Sequence, residues 1–171
     1  DENHLTKFIS PILDFLSSVG INFFGNDPIS AGFGLFNAGG IIFMIFGIGL
    51  SKNLADKYGN IVHLGERDCS IQRRHQKVIE IAPSPRLNEA VRKELYRVST
   101  KAMFRLGYES VGTVEFLVDE DDNIYFIEMN TRVQVEHPVT EVISGVDIIQ
   151  RMIEIADGDK LHFLQEEIKF R

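Results

Sequence analysis

Only one cysteine, Cys69, occurs in the 171 residues, so no internal disulfide can form, and a reducing compartment, the cytoplasm by default, is expected. Basic residues are also scarce. Eighteen Lys and Arg against 25 Asp and Glu leave a formal net charge of -7, which argues against a nucleic-acid partner, because phosphate binding needs clustered cations on one face. The one basic cluster is the run from Gln72 to Lys77. Charge of either sign is missing between Pro28 and Ser51, and residues 1–50 hold only Asp1, Glu2, Lys7, Asp14 and Asp27. No basic stretch leads into this apolar run, so it lacks the layout of a signal peptide.

The chain therefore changes character near Ser51. Ahead of that seam, Leu5, Phe8, Ile9, Ile12, Leu13 and Leu16 recur at helical spacing and predict an amphipathic helix up to about Gly20, weakened by Pro11. Residues 29–50 are long enough, as a helix, to cross the ~30 Å core of a bilayer. Six glycines, at 32, 34, 39, 40, 47 and 49, disfavour that helix, so membrane contact by residues 29–50 stays open but is not the favoured reading. Residues 1–53 are thus an unassigned apolar segment, foreign or membrane-seeking in one reading, and residues 54–171 the domain proper.

Beyond the seam, Tyr58-Gly59-Asn60 reads as a turn and Ile61–Leu64 as a short strand. Val91, Leu95, Val98, Ala102 and Leu106 mark a helix capped by Asn88 and stopped by Gly107. Val111–Asp119 and Ile124–Asn130 read as a hairpin, and a last helix spans roughly Val146–Ala156, ended by Gly158. The order strand, helix, hairpin, helix gives an α+β class: an antiparallel sheet with packed helices.

If the hairpin turn is centred between Asp121 and Asp122, Glu115 lies opposite Glu128 on one face. Like charges directly opposed destabilise a strand pair unless they are compensated, and a magnesium ion, held by one or two carboxylates plus substrate phosphates, would compensate them. Solvent screening is the other reading. Continued as an extended chain, Asn130, Arg132, Gln134 and Glu136 would project to the same side as Glu128. That face offers carboxylates, amides and a guanidinium rather than interchangeable lysines.

ERDCSIQRRHQK at 66–77 and EFLVDEDDNIYFIEMNTRVQVEHPVTE at 115–141 resemble the signature blocks of biotin carboxylases, including those within acetyl-CoA, propionyl-CoA and pyruvate carboxylases. The likeness covers residues 54–171 and implies the C-terminal half of an ATP-grasp domain. It implies a ligase that carboxylates carrier-bound biotin with ATP and bicarbonate, through carboxyphosphate. By resemblance, Glu115, Glu128 and Asn130 bind Mg2+ or Mn2+, and Glu136 is the base that deprotonates bicarbonate. Arg132 stabilises the biotin oxyanion and, with Lys77, Gln134 and the backbone of Val135, holds bicarbonate. His75 and Gln72 contact nucleotide. A biotin carboxyl carrier protein or domain and a carboxyltransferase component are the implied partners, with homodimerisation open. Cys69 has no neighbour with the logic of a nucleophile's base and is expected to be packing.

Residues 1–53 carry none of the family's glycine-rich phosphate loop or nucleotide-binding lysines, and a further biotin-binding arginine is not matched. Turnover by these 171 residues alone is therefore not expected. The alternative is a non-catalytic metal-binding or assembly module fused to a foreign N-terminus.

Overall fold

A computed structural model of the chain describes residues 47–73 and 76–171. The helix expected near residues 5–20 and most of the apolar run lie outside these residues. Five antiparallel strands make one sheet: β1 (Gly47–Ala55), β2 (Ile61–Arg73), β3 (Gln76–Ile81), β4 (Ser110–Val118) and β5 (Ile124–Asn130), in the order β3-β2-β1-β4-β5. The helices are α1 (Glu89–Leu106), α2 (His137–Ser144) and α3 (Ile148–Asp157), followed by a single 3-10 turn at Gln165–Glu167. The α+β class read from the sequence is the class observed.

β1 runs straight across the composition seam. Within residues 49–55 it pairs with β2 on one side and β4 on the other, so it is the middle strand, and Ser51, Lys52 and Asn53 are buried along with Leu50, Leu54 and Ala55. Among the described residues no helix is long and apolar enough to cross a membrane.

The two faces of the sheet are covered differently. On one, Val91, Leu95, Val98 and Ala102 of α1 pack on Val114, Phe116, Val118 and Ile124. The helix begins where the Asn88 side chain accepts from the Val91 amide at 2.9 Å and ends at Gly107, in the left-handed region at φ 57°. On the other face, Leu54 and Val111 pack on Ile148 and Ile155 of α3. With both faces covered, Val111–Val118 is buried throughout and reads as a near-continuous apolar run.

Gly65 keeps β2 in step with this plan. Between the pairs Asn53↔His63 and Ser51↔Glu66, two residues of β2 oppose Lys52 alone. Gly65 absorbs the extra residue at φ 84°, and a Cβ there would lie 3.1 Å from Phe170. The bulge sends Glu66 to the α1 face and Arg67 to the other. β2 is much longer than the four-residue strand expected, because apolar alternation stops marking it once charged residues are buried inside it. The last helix starts at Ile148, capped by the Asp147 side chain on the Gln150 amide at 2.8 Å, and ends at Gly158.

Candidate active site

The β4–β5 register pairs Glu115 with Glu128 and Thr113 with Asn130. The expected pairing is observed, but the expected turn is not its cause. Nearer the turn, Leu117 pairs with Tyr125 and Val118 with Ile124, and the Asp119 amide donates to the Asn123 carbonyl at 3.1 Å, so the turn centres on Asp121. The register then shifts by one residue between Glu115 and Phe116, and this bulge restores the Glu115–Glu128 pairing.

One amide bridges the two carboxylates. Asn130 Nδ2 donates to Oε1 of Glu115 at 2.9 Å and to Oε1 of Glu128 at 3.0 Å, so these oxygens are no more than about 6 Å apart. Glu115 is buried and Glu128 exposed. Lys77 on β3 donates to the same Glu115 Oε1 at 2.8 Å, and Gln134 Nε2 does so at 3.2 Å. Burial is the largest influence on Lys77 and works against its charge, but the hydrogen bond and charge of Glu115, together with the charge of Glu136 nearby, outweigh it and hold the pKa above the ordinary lysine value.

β5 ends at Asn130, so residues 131–136 do not continue as the extended strand expected from their alternation. The segment bends and turns into α2. Two of its groups, Gln134 and Glu136, still reach the site, by a different route. Val133 packs against the α3 cluster, Gln134 is buried at 4% exposure, and Glu136 becomes the N-cap residue of α2 without spending its side chain on the cap. Glu136 Oε1 lies 3.9 Å from Lys77 Nζ and 4.0 Å from Arg67 Nη2. Arg132 does not join them: its Nη1 donates to the neighbouring Val133 carbonyl at 3.2 Å and the residue is exposed. The Val135 side chain is 92% exposed. Gln72 donates to the Cys69 carbonyl at 3.2 Å, and His75 lies outside the described residues. Burial pushes the Cys69 thiol up to about 12, which suits packing rather than nucleophilic attack.

Sequence reasoning passed over Arg67, although it lies in the first quoted block. The residue is fully buried; Nε donates to Glu80 at 2.5 Å, Nη1 to Thr140 Oγ1 at 2.6 Å and Nη2 to Gln134 Oε1 at 3.1 Å. A charge two residues before Cys69 in a strand whose other side packs on a helix was the available signal. Burial pushes the Glu80 carboxyl upward against the opposing pull of Arg67. Lys52, opposite Thr113 on the same face, was also missed because it sits in the seam; it is fully buried, and among the described residues its ammonium has no hydrogen-bond partner.

Among the described residues no three His, Cys, Asp or Glu side chains gather to hold a metal unaided. Two carboxylates sharing an amide fit a magnesium-like ion that completes its shell with phosphate and water. Among the described residues the Glu115 bonds all fall on Oε1, so Oε2 is the oxygen left for such an ion.

Comparison with known proteins places this geometry. The family model described as carbamoyl-phosphate synthase L chain, ATP binding domain, matches residues 51–164. The chain belongs to that family. It is 59% identical over 117 residues to the 2-oxoglutarate carboxylase small subunit of Hydrogenobacter thermophilus, covering 68% of this chain and 25% of that protein. It is 58% identical over 118 residues to the chloroplastic biotin carboxylase 1 of Populus trichocarpa, covering 69% and 22%. The crystal structure of the Hydrogenobacter biotin carboxylase domain dimer, in complex with MgADP, ADP and bicarbonate, superposes with a TM-score of 0.71 at 55% identity, over 74% of this chain and 28% of that one. The antiparallel sheet is thus an ATP-grasp element of the biotin carboxylase kind, and the chain spans about a quarter of the length of the relatives it matches.

Proposed function

We propose that this ATP-grasp unit is the metal- and bicarbonate-handling part of a biotin carboxylase, an ATP-dependent ligase that carboxylates biotin on a carrier protein. The observation that carries the reading is the opposed pair Glu115 and Glu128, bridged by Asn130, with Lys77 on the buried partner. Glu115, Glu128 and Asn130 would hold Mg2+ or Mn2+, which when bound neutralises phosphate charge on ATP.

The chain's own groups then divide the work. Lys77, the Gln134 amide and the Val135 backbone receive bicarbonate beside Glu136. The Glu136 carboxylate, facing two cations at ion-pair distance and bound to neither, takes the bicarbonate proton, so that the bicarbonate oxygen can attack the γ-phosphorus of ATP, breaking its bond to the β,γ-bridging oxygen and giving carboxyphosphate and ADP. Arg132, exposed in the segment between β5 and α2, is the group for the biotin oxyanion, a task that suits a permanently charged planar fork. Gln72, near the end of β2, and by resemblance His75 are the nucleotide contacts. A biotin carboxyl carrier, a carboxyltransferase component and a second copy of the chain are the partners this reading brings, and the single buried thiol suits the cytoplasm.

Titration of the 171-residue chain with Mn2+, followed by the loss of the free-ion electron paramagnetic resonance signal, tests the metal site. Adding a polypeptide that supplies the rest of the relatives' length tests the chemistry. Bicarbonate-dependent ATP hydrolysis is expected in the mixture and not with Glu136→Gln. Full activity with Glu136→Gln would remove Glu136 from the role of base.

A further inference from the structure

The buried guanidinium of Arg67 spans three parts of the chain: Glu80 on β3, Thr140 on α2 and Gln134 in the bent segment between β5 and α2. A guanidinium only donates, so the Gln134 atom facing it must be the carbonyl oxygen. That fixes the amide: Oε1 toward Arg67, Nε2 toward Glu115 at 3.2 Å. An unconstrained glutamine amide could turn over and aim its oxygen at the carboxylate, where two acceptors would repel. Arg67 removes that choice. On Glu115 the consequence is that Gln134, Asn130 and Lys77 all donate to Oε1, and Oε2 is presented for a ligand.

We propose that Arg67 is a positioning residue for this site. Held by Glu80, it orients Gln134, and through Gln134 it sets which oxygen of Glu115 faces a divalent cation; through Thr140 it also ties α2, into which the 131–136 segment runs, to the sheet. This rests on the reading of Glu115 and Glu128 as metal ligands. Lysine is no substitute, because a single ammonium cannot reach three acceptors in the planar spread that the fork covers.

A double-mutant cycle on the full 171-residue chain tests the relay, with Mn2+ as the probe. Arg67→Lys and Gln134→Met are each expected to weaken Mn2+ binding about tenfold, whereas the double variant should lose no more than about twofold beyond either. Losses that multiply, or an Arg67→Lys protein that binds as the wild type does, would overturn the relay. The second readout needs no metal: the Gln134 side-chain amide, assigned by its disappearance in Gln134→Met, should exchange slowly with solvent in the wild type and quickly in Arg67→Lys. Equal protection in both overturns the proposal. A wild-type chain that fails to bind Mn2+ sinks the metal reading alone, because the amide signal still decides the relay. If Arg67→Lys does not fold, Glu80→Gln, which keeps the side-chain volume while loosening the guanidinium, is expected to raise amide exchange and weaken Mn2+ about threefold; no change in either is the overturning result.

Discussion

Glu66 and Glu115 are buried glutamates on neighbouring parts of one sheet, and they differ in how their oxygens are used. Glu66 faces α1. Its Oε1 accepts from the Ser84 amide at 2.9 Å and from Arg92 Nε at 3.0 Å, while Tyr96 Oη donates to Oε2. Both oxygens are consumed, and the bonds tie the loop after β3 to the start of the helix. Glu115 faces the other way and takes three donors on one oxygen only. A carboxylate saturated on both oxygens is part of the scaffold, whereas one saturated on a single side holds a fixed orientation and keeps a lone-pair face for something else. Burial alone does not separate the two; the distribution of donors does.

The largest effect should come from exchanging a carboxylate for an amide at each place. Glu115→Gln is expected to lower Mn2+ affinity by at least about 100-fold while shifting stability by under about 1 kcal/mol, because it also relieves the like-charge opposition with Glu128. Glu66→Gln is expected to do the reverse. It should cost about 2 to 3 kcal/mol, at the low end for a broken buried pair because Arg92 keeps bonds to the carbonyls of Ser84 and Leu87, and it should leave Mn2+ binding unchanged. Urea unfolding and the Mn2+ titration, run on both variants, check the crossover. Loss of metal affinity in Glu66→Gln would break the division between scaffold and site.

This contrast also marks what the sequence could yield. The α1 caps, the end of the last helix and the hairpin were legible because local chemistry decides them: Asn88 and Gly107, Gly158, an Asp-rich turn between apolar runs, whereas the Asp147 cap was not read and the start of that helix was set two residues early. The Glu115–Glu128 pairing was legible only in outcome, since a wrong turn centre and an unforeseen bulge offset each other. The segment 131–136 was misread because alternation of polar and apolar residues signals a strand only where a ladder exists to extend it. The strand ends at Asn130, and tertiary bonds from Arg67 and the packing of Val133 set the path from there. β1 was missed altogether because a buried central strand has no polar alternation to announce it.

Among the described residues, each face of the sheet also holds one buried nitrogen without a partner, and these sharpen the comparison. On the site face, burial and then the nearby Arg67 charge lower Lys52 to about 8. The folded pKa lies below the unfolded lysine value near 10.5, so the unfolded chain binds more protons between these two values. The penalty is therefore full below about pH 8 and is relieved as pH rises from there toward 10.5. Lys52→Met should raise stability at pH 7 by roughly 2 kcal/mol and flatten the rise in stability above pH 8, measured by urea unfolding across that range. An unchanged alkaline slope would mean that Lys52 is not the group responsible.

The smallest expected effect lies on the helix face, at His63. Its ring stacks on Tyr96 with centroids 3.8 Å apart and planes 14° from parallel, and its Nδ1 has no hydrogen-bond partner. Burial lowers its pKa to about 4, with the Glu66 charge opposing the shift only in part. Here the folded value lies below the unfolded value near 6.5, so the unfolded chain takes up the proton first as the solution is acidified. Stability held above pH 6.5 should be lost progressively as pH falls toward 4, by about 1 kcal/mol for a ring that keeps some access to water. His63→Phe preserves the stack on Tyr96 and has nothing to protonate, so its acid unfolding curve should lack that step while its Mn2+ affinity stays at the wild-type value. A His63→Phe variant that retained the step would show that His63 is not the source of the acid sensitivity.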